Sequence, residues 1–163
     1  MIFCSVGTQL PFQRLVEFII RWSNEIDFNK TEIIIQSGSS VDVALPENIK
    51  VLGFISVQEF SSIFERAELI VSHAGMGNII SSLELAKPIV ILPRLSSLNE
   101  HRNDHQIDSA NRFSELDTVF VANDYDDFCD SIRNAKEFKS GSLEMKYPER
   151  EKLTNYLKAE ISN

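Results

Sequence analysis

Three short stretches of this chain hold residues whose types and spacing suit the handling of a phosphorylated ligand. The first is Ser72-His73-Ala74-Gly75-Met76-Gly77-Asn78. Its two glycines, at i and i+2, leave no side chain between backbone and ligand. A helix opening there presents unpaired N–H groups and the positive end of its dipole. His73 stands beside them as a catalytic candidate and Asn78 as a hydrogen-bonding amide, although a lone histidine is also a common structural residue. The second stretch is Gly7-Thr8-Gln9, again a glycine ahead of a helix start; its bland alternative is a tight turn. The third is Arg94 followed by Glu100-His101-Arg102-Asn103-Asp104-His105-Gln106. Read as a helix from Glu100, it places His101 and His105 on one face and Arg102 and Gln106 on an adjacent one. Such polar density suits sugar hydroxyls and phosphate, and equally suits a solvated helix start. His73, His101 and His105 raise the question of zinc, but no HExxH pattern accompanies them and no metal is expected.

These stretches need strands and helices to position them. Short apolar runs at Ile2–Val6, Glu32–Gln36, Lys50–Leu52, Leu69–Ser72, Ile89–Leu92 and Thr118–Val121 predict strands, several buried on both faces. Amphipathic stretches between them predict helices. The first begins near Pro11 and carries Leu15, Phe18, Ile19 and Trp22 at i, i+3, i+4 and i+7. Others run from Val57 to Arg66 after Ser56 as N-cap, from Met76 to Ala86, from Glu100 to Phe113 and from Asp124 to Ala135. The alternation predicts an α/β fold: a single Rossmann-like domain over 1–163, its parallel sheet covered by helices on both faces. A polar connector at 136–148 leads to a terminal helix at 149–161. Ligands of such sheets bind beyond the carboxyl ends of the strands, where all three polar stretches fall.

The bulk composition narrows the partners. Sixteen basic and 24 acidic side chains give a net charge of −8 over 163 residues. General nucleic-acid binding is not expected from so acidic a chain, and a polybasic membrane patch is absent. A phosphorylated ligand would have to be held by local amides and a few arginines against an unfavourable global field. No run approaches a membrane span, no signal peptide is evident, and Cys4 reads as a buried reduced thiol. A cytoplasmic location without direct membrane insertion is expected.

The segment SHAGMGNIISSLELAKPIVILPR, Ser72 to Arg94, together with EHRNDHQ, Glu100 to Gln106, resembles the C-terminal domain of family-28 glycosyltransferases. The opening VGTQLPFQRLV, Val6 to Val16, is similar to the small donor-binding subunit of split GT-B glycosyltransferases. That type includes PssE-like proteins and the soluble subunit of the dolichol-linked GlcNAc transferase. The likeness implies the C-terminal half of a GT-B enzyme, with a UDP-sugar as donor and no cofactor. A membrane-associated acceptor-binding glycosyltransferase subunit is the implied partner, which would hold this chain at the membrane periphery.

By position, the resemblance gives Gly7 and Thr8 to the donor diphosphate, with Gln9 beside them in the donor-binding set, and Gly75, Met76, Gly77 and Asn78 to the nucleotide. It gives Gln106 to the donor sugar, with His105 in place of a second glutamine; Arg94, Glu100 and Arg102 complete the donor-binding set. The family's ribose-binding glutamate falls at Ser81, with Glu84 one turn on. Its Gly-Lys-Pro reads Ala86-Lys87-Pro88, a change expected to cost little. The implied reaction is an inverting transfer to a lipid-linked acceptor in polysaccharide or glycan biosynthesis, exopolysaccharide included. The alternative is a non-catalytic nucleotide-sugar-binding or scaffold subunit that activates another transferase. Phe12, Val16 and Ile20 make the first helix apolar over more than one side. That excess is either a docking surface for the partner or packing on this domain's own sheet.

Overall fold

Among the described residues, six short strands pair in parallel throughout, in the order β3-β2-β1-β4-β5-β6. They are β1 (Ile2–Ser5), β2 (Ile33–Gln36), β3 (Ile49–Leu52), β4 (Leu69–His73), β5 (Ile89–Leu92) and β6 (Val119–Val121). The computed structural model describes residues 1–25, 31–38 and 44–138. The expected connector from residue 139 onward and the expected terminal helix lie outside the described residues.

Parallel neighbours need crossovers, and five helices supply cover: α1 (Gln13–Glu25), α2 (Val57–Arg66), α3 (Met76–Glu84), α4 (His105–Phe113) and α5 (Tyr125–Glu137). Side-chain alternation along the strands divides the core in two. Ile2, Cys4 and Val6 face α1 and α5, packing with Leu15, Ile19, Trp22, Phe128 and Ile132. Phe3, Ile34 and Ile70 face α2, α3 and α4, packing with Phe64, Ile79, Leu83 and Phe113. Burial pushes the Cys4 thiol up to about 12, which leaves it protonated and inert. The apolar excess of α1 is largely consumed here: Phe12 and Val16 are buried, and Phe18 and Ile20 are half-buried against the same cluster. No helix of the described residues is long and apolar enough to cross a membrane.

Two local features depart from expectation. The fourth helix begins at His105 instead of Glu100, after a short 3-10 turn at Ser96–Leu98. Side chains capture the intervening backbone: the Leu95 N–H donates to Glu100 Oε2 at 2.9 Å and the Ser96 N–H to Asp104 Oδ1 at 2.9 Å. Asn99 is left-handed at φ 55°, which no helix accommodates. The second departure is Ala86, which follows α3 at φ 50°. The Lys87 N–H closes back on the Ser82 carbonyl at 2.8 Å, so the chain ends the helix in a left-handed turn. Alanine in that conformation costs about 1 kcal/mol relative to glycine, more than the small penalty expected.

Chain order reverses between β1 and β4. From β1 the sheet grows outward to β2 and β3, then resumes on the other side at β4. The loops leaving β1 and β4 therefore diverge and open a crevice at their carboxyl ends.

Candidate functional site

A cleft of about 460 Å³ occupies that crevice. Its floor is His73, at the end of β4, between the two glycines. A Cβ at Gly7 would come within 2.7 Å of the imidazole Cε1, and one at Gly75 would overlap Nε2. Gly7 also takes φ +85°, a region L side chains rarely adopt. The glycines thus make room for a ring as well as for backbone approach. Burial is the main cause that holds the His73 pKa down at about 4, and the positive field of Arg94 lowers it further. A backbone hydrogen bond with Ser5 opposes these only in part. His73 is neutral at physiological pH.

Backbone donors converge on this floor from two sides. On one, α3 starts at Met76 with Gly75 as N-cap and no side-chain cap bond. Among the described residues nothing accepts from the N–H groups of Met76, Gly77 or Asn78, the first ladder bond being Ile79 N–H to the Gly75 carbonyl. Asn78 Nδ2 donates instead to Ser72 Oγ at 2.6 Å, and that hydroxyl lies 3.3 Å from His73 Nδ1. On the other side, the Gly7–Gln9 loop leaves β1 with Thr8 and Gln9 exposed. Ser5 and Gln36 brace it from below. Ser5 Oγ donates to Gln36 Oε1 at 3.0 Å, and Gln36 Nε2 donates to the Gly7 carbonyl at 3.5 Å.

Of the residues singled out by sequence, Gly7, Thr8, Gln9, His73, Gly75, Met76, Gly77, Asn78, Arg94 and Gln106 line the cleft. Gln106 is held there by its Oε1, which accepts from the Arg94 backbone N–H at 3.1 Å; its amide NH₂ remains for a ligand. Arg94 reaches the cleft wall, but the residue is only 3% exposed and its guanidinium donates to four carbonyls. They are Val6 (2.8 Å), Leu10 (2.7 Å), Pro11 (2.6 Å) and Glu100 (3.2 Å). Its Nη1 and Nη2 groups are thereby spent on the protein's own backbone.

Glu100, Arg102 and His105 are not brought to the cleft. Glu100 forms a two-pronged pair with Arg14, each bond 2.8 Å. Arg102 and His105 are exposed, because α4 begins too late to turn them inward. The expected shared face of His101 and His105 is absent for the same reason. Ser81 and Glu84 do not line the cleft either. No group of three or more His, Cys, Asp or Glu side chains among the described residues is placed to hold a metal.

The sequence reading missed Ser5, Gln36 and the β3–α2 segment, and placed His101 on a shared helix face with His105 without assigning it to the donor site. His101 enters from the β5–α4 connection, its Nδ1 3.0 Å from Asn103 Oδ1, with Nε2 uncommitted. Phe54, Ile55, Val57 and Phe60 form an apolar wall, Phe54 and Val57 being 78% exposed. Gln36, a polar residue ending an apolar run, was the readable signal for the brace; nothing in the pattern marked Phe54.

Residues 1–117 match the glycosyltransferase family 28 C-terminal domain. The chain is similar to the UDP-N-acetylglucosamine transferase subunit ALG13 of Saccharomyces cerevisiae, 35% identical over 79 residues, or 48% of this chain and 37% of the yeast protein. It is similar also to the subunit of that name from Candida albicans, 32% identical over 69 residues, or 42% of this chain and 22% of that protein. The chain thus spans well under half the length of these two curated relatives. A solution structure of ALG13 superposes with a TM-score of 0.60 at 24% identity, covering 85% of this chain and 86% of that one. This last likeness is one of fold.

Proposed function

The chain belongs to the glycosyltransferase family 28 C-terminal domain family, and from that premise we propose that it is the donor-binding subunit of a GT-B glycosyltransferase. The donor is a UDP-sugar, UDP-N-acetylglucosamine being the first to test because the similar ALG13 proteins are named for it. The observation that carries the reading is the convergence of open backbone N–H groups from Thr8 and Gln9 and from the α3 start above a neutral His73.

Each part of the cleft then has a task. The amides and the helix dipole stabilise the negative charge that develops on UDP as the glycosidic bond to the donor sugar breaks, without a metal. The wall of Phe54, Ile55, Val57 and Phe60 suits the flat face of a base, and the Gln106 amide suits a sugar oxygen. His73 serves as a neutral hydrogen-bonding group. A ring protonated only below about pH 4 accepts a proton too weakly to be the general base near neutrality. The base for the acceptor hydroxyl belongs to an acceptor-binding, membrane-associated partner, and transfer inverts the anomeric centre onto a lipid-linked acceptor.

The test is transfer of radiolabelled UDP-N-acetylglucosamine into membrane lipid by extracts containing the chain, a membrane-associated acceptor-half protein from the same genome, or both. Label should appear only with both. Robust transfer by the purified chain alone would refute the two-component reading.

A further inference from the structure

We propose that Arg94 is the positioning residue of the anion subsite: it shapes the Val6–Pro11 loop and supplies positive field beneath it without touching the ligand. This rests on the donor-site reading above. Arg94 lies just beyond β5, yet its guanidinium takes the carbonyl of Val6 ahead of the glycine and those of Leu10 and Pro11 behind it. One planar fork therefore fixes both ends of the Gly7–Gln9 loop, a geometry that lysine's point charge cannot reproduce. With those carbonyls drawn inward, Thr8 and Gln9 stay exposed on the cleft side, and among the described residues nothing accepts from their N–H groups.

The charge matters as well as the fork. All four bonded partners of the guanidinium are neutral carbonyls, and the nearby Glu100 carboxylate is committed to Arg14 and to the Leu95 N–H. Arg94 thus keeps a cation without a carboxylate partner under the loop, stacked 4.5 Å from the Phe12 ring centroid. Its field reaches the cleft floor, since it helps to depress the His73 pKa. In a chain of net charge −8, a buried cation at this point makes the site locally hospitable to a diphosphate.

The experiment is an NMR-monitored titration of the whole chain with UDP and, separately, with uridine, for wild type, Arg94→Lys and Arg94→Gln. Uridine shares the base and ribose but carries no phosphate. Arg94→Gln should weaken UDP by at least about tenfold and uridine by less than about twofold, with Arg94→Lys between wild type and Arg94→Gln for UDP. If Arg94→Gln fails to fold, Arg94→Lys carries the same comparison. Equal losses for UDP and uridine, or unchanged UDP affinity, would overturn the assignment. A folded wild-type chain that binds neither ligand would overturn the donor-site reading itself, and this inference with it.

Discussion

The β4–α3 turn and the β5–α4 connection each follow a core strand and each carry dense polar residues, yet they treat the cleft differently. The first delivers His73, Gly75, Met76, Gly77 and Asn78 to it together. The second delivers Gln106 and His101, spends Arg94 and Glu100 on internal bonds, and leaves Arg102 and His105 in solvent. The difference is one of length and backbone demand. A two-residue turn between strand and helix has no freedom to redirect its side chains. A connection of twelve residues, 93–104, must satisfy its own carbonyls and N–H groups first, and its charged side chains are the means.

Substitution at Gly75 in the short turn and at Gly77 just inside α3 should produce the largest contrast. Gly75→Ala forces the His73 ring to move, so UDP affinity should drop by about a hundredfold, since both the floor and the loop above it are displaced. Gly77 has open space around a Cβ and lies in the first turn of α3. Gly77→Ala should therefore raise thermal stability by roughly 0.5–1 kcal/mol while still lowering UDP affinity, because the new methyl stands where the ligand approaches. Calorimetric titration and thermal denaturation check both variants. Tight UDP binding by Gly75→Ala would break the comparison.

In the long connection the expected loss is of stability. Glu100→Ala leaves Arg14, its side chain 15% exposed, without its two carboxylate bonds, and strands the Leu95 N–H. Denaturant unfolding should show a loss of about 2–4 kcal/mol. A change below about 0.5 kcal/mol would mean that the pair does not organise this connection.

His73 links stability to acidity. Its folded pKa, about 4, lies below the ordinary 6.5, so between those values the unfolded chain binds more protons than the folded one. Stability attributable to His73 is complete above pH 6.5 and is lost as pH falls toward 4, on the order of 3 kcal/mol in total. Unfolding curves across that window should be steeper in pH for wild type than for His73→Gln. Parallel curves would contradict the buried neutral assignment.

The smallest effects again separate the contributors of the long connection. Gln106→Ala should weaken UDP-sugar binding by about 0.5–1.5 kcal/mol while leaving UDP affinity nearly unchanged. Arg102→Ala and His105→Ala should alter neither by more than about twofold, since both side chains point into solvent.

The same contrast explains what could be read in advance. All six strands fall within one residue of their expected ends, and α2 runs from Val57 to Arg66 as its period predicts. Continuous Ile/Val runs and the Ser56 cap are local signals, and the parallel sheet follows from their alternation. The β4–α3 turn was legible for the same reason, with strand end, glycine and helix start adjacent in sequence. The roles of the Arg94 and Glu100 side chains were not legible, because their partners lie 83 to 88 residues away along the chain, apart from Glu100's own carbonyl and the Leu95 N–H. Polar density alone could not separate residues committed to backbone from residues offered to a ligand. Phe54 escaped notice because an exposed aromatic acquires meaning only when a cleft is found beside it.

The central claim is that the cleft between β1 and β4 holds a nucleoside diphosphate on backbone amides, without a divalent cation. Calorimetric titration of the folded chain with UDP, in the presence and absence of EDTA, tests it most directly. The account predicts saturable one-site binding with the same affinity under both conditions, abolished or strongly weakened by Gly75→Ala. No binding under either condition, or binding that EDTA removes, would contradict it.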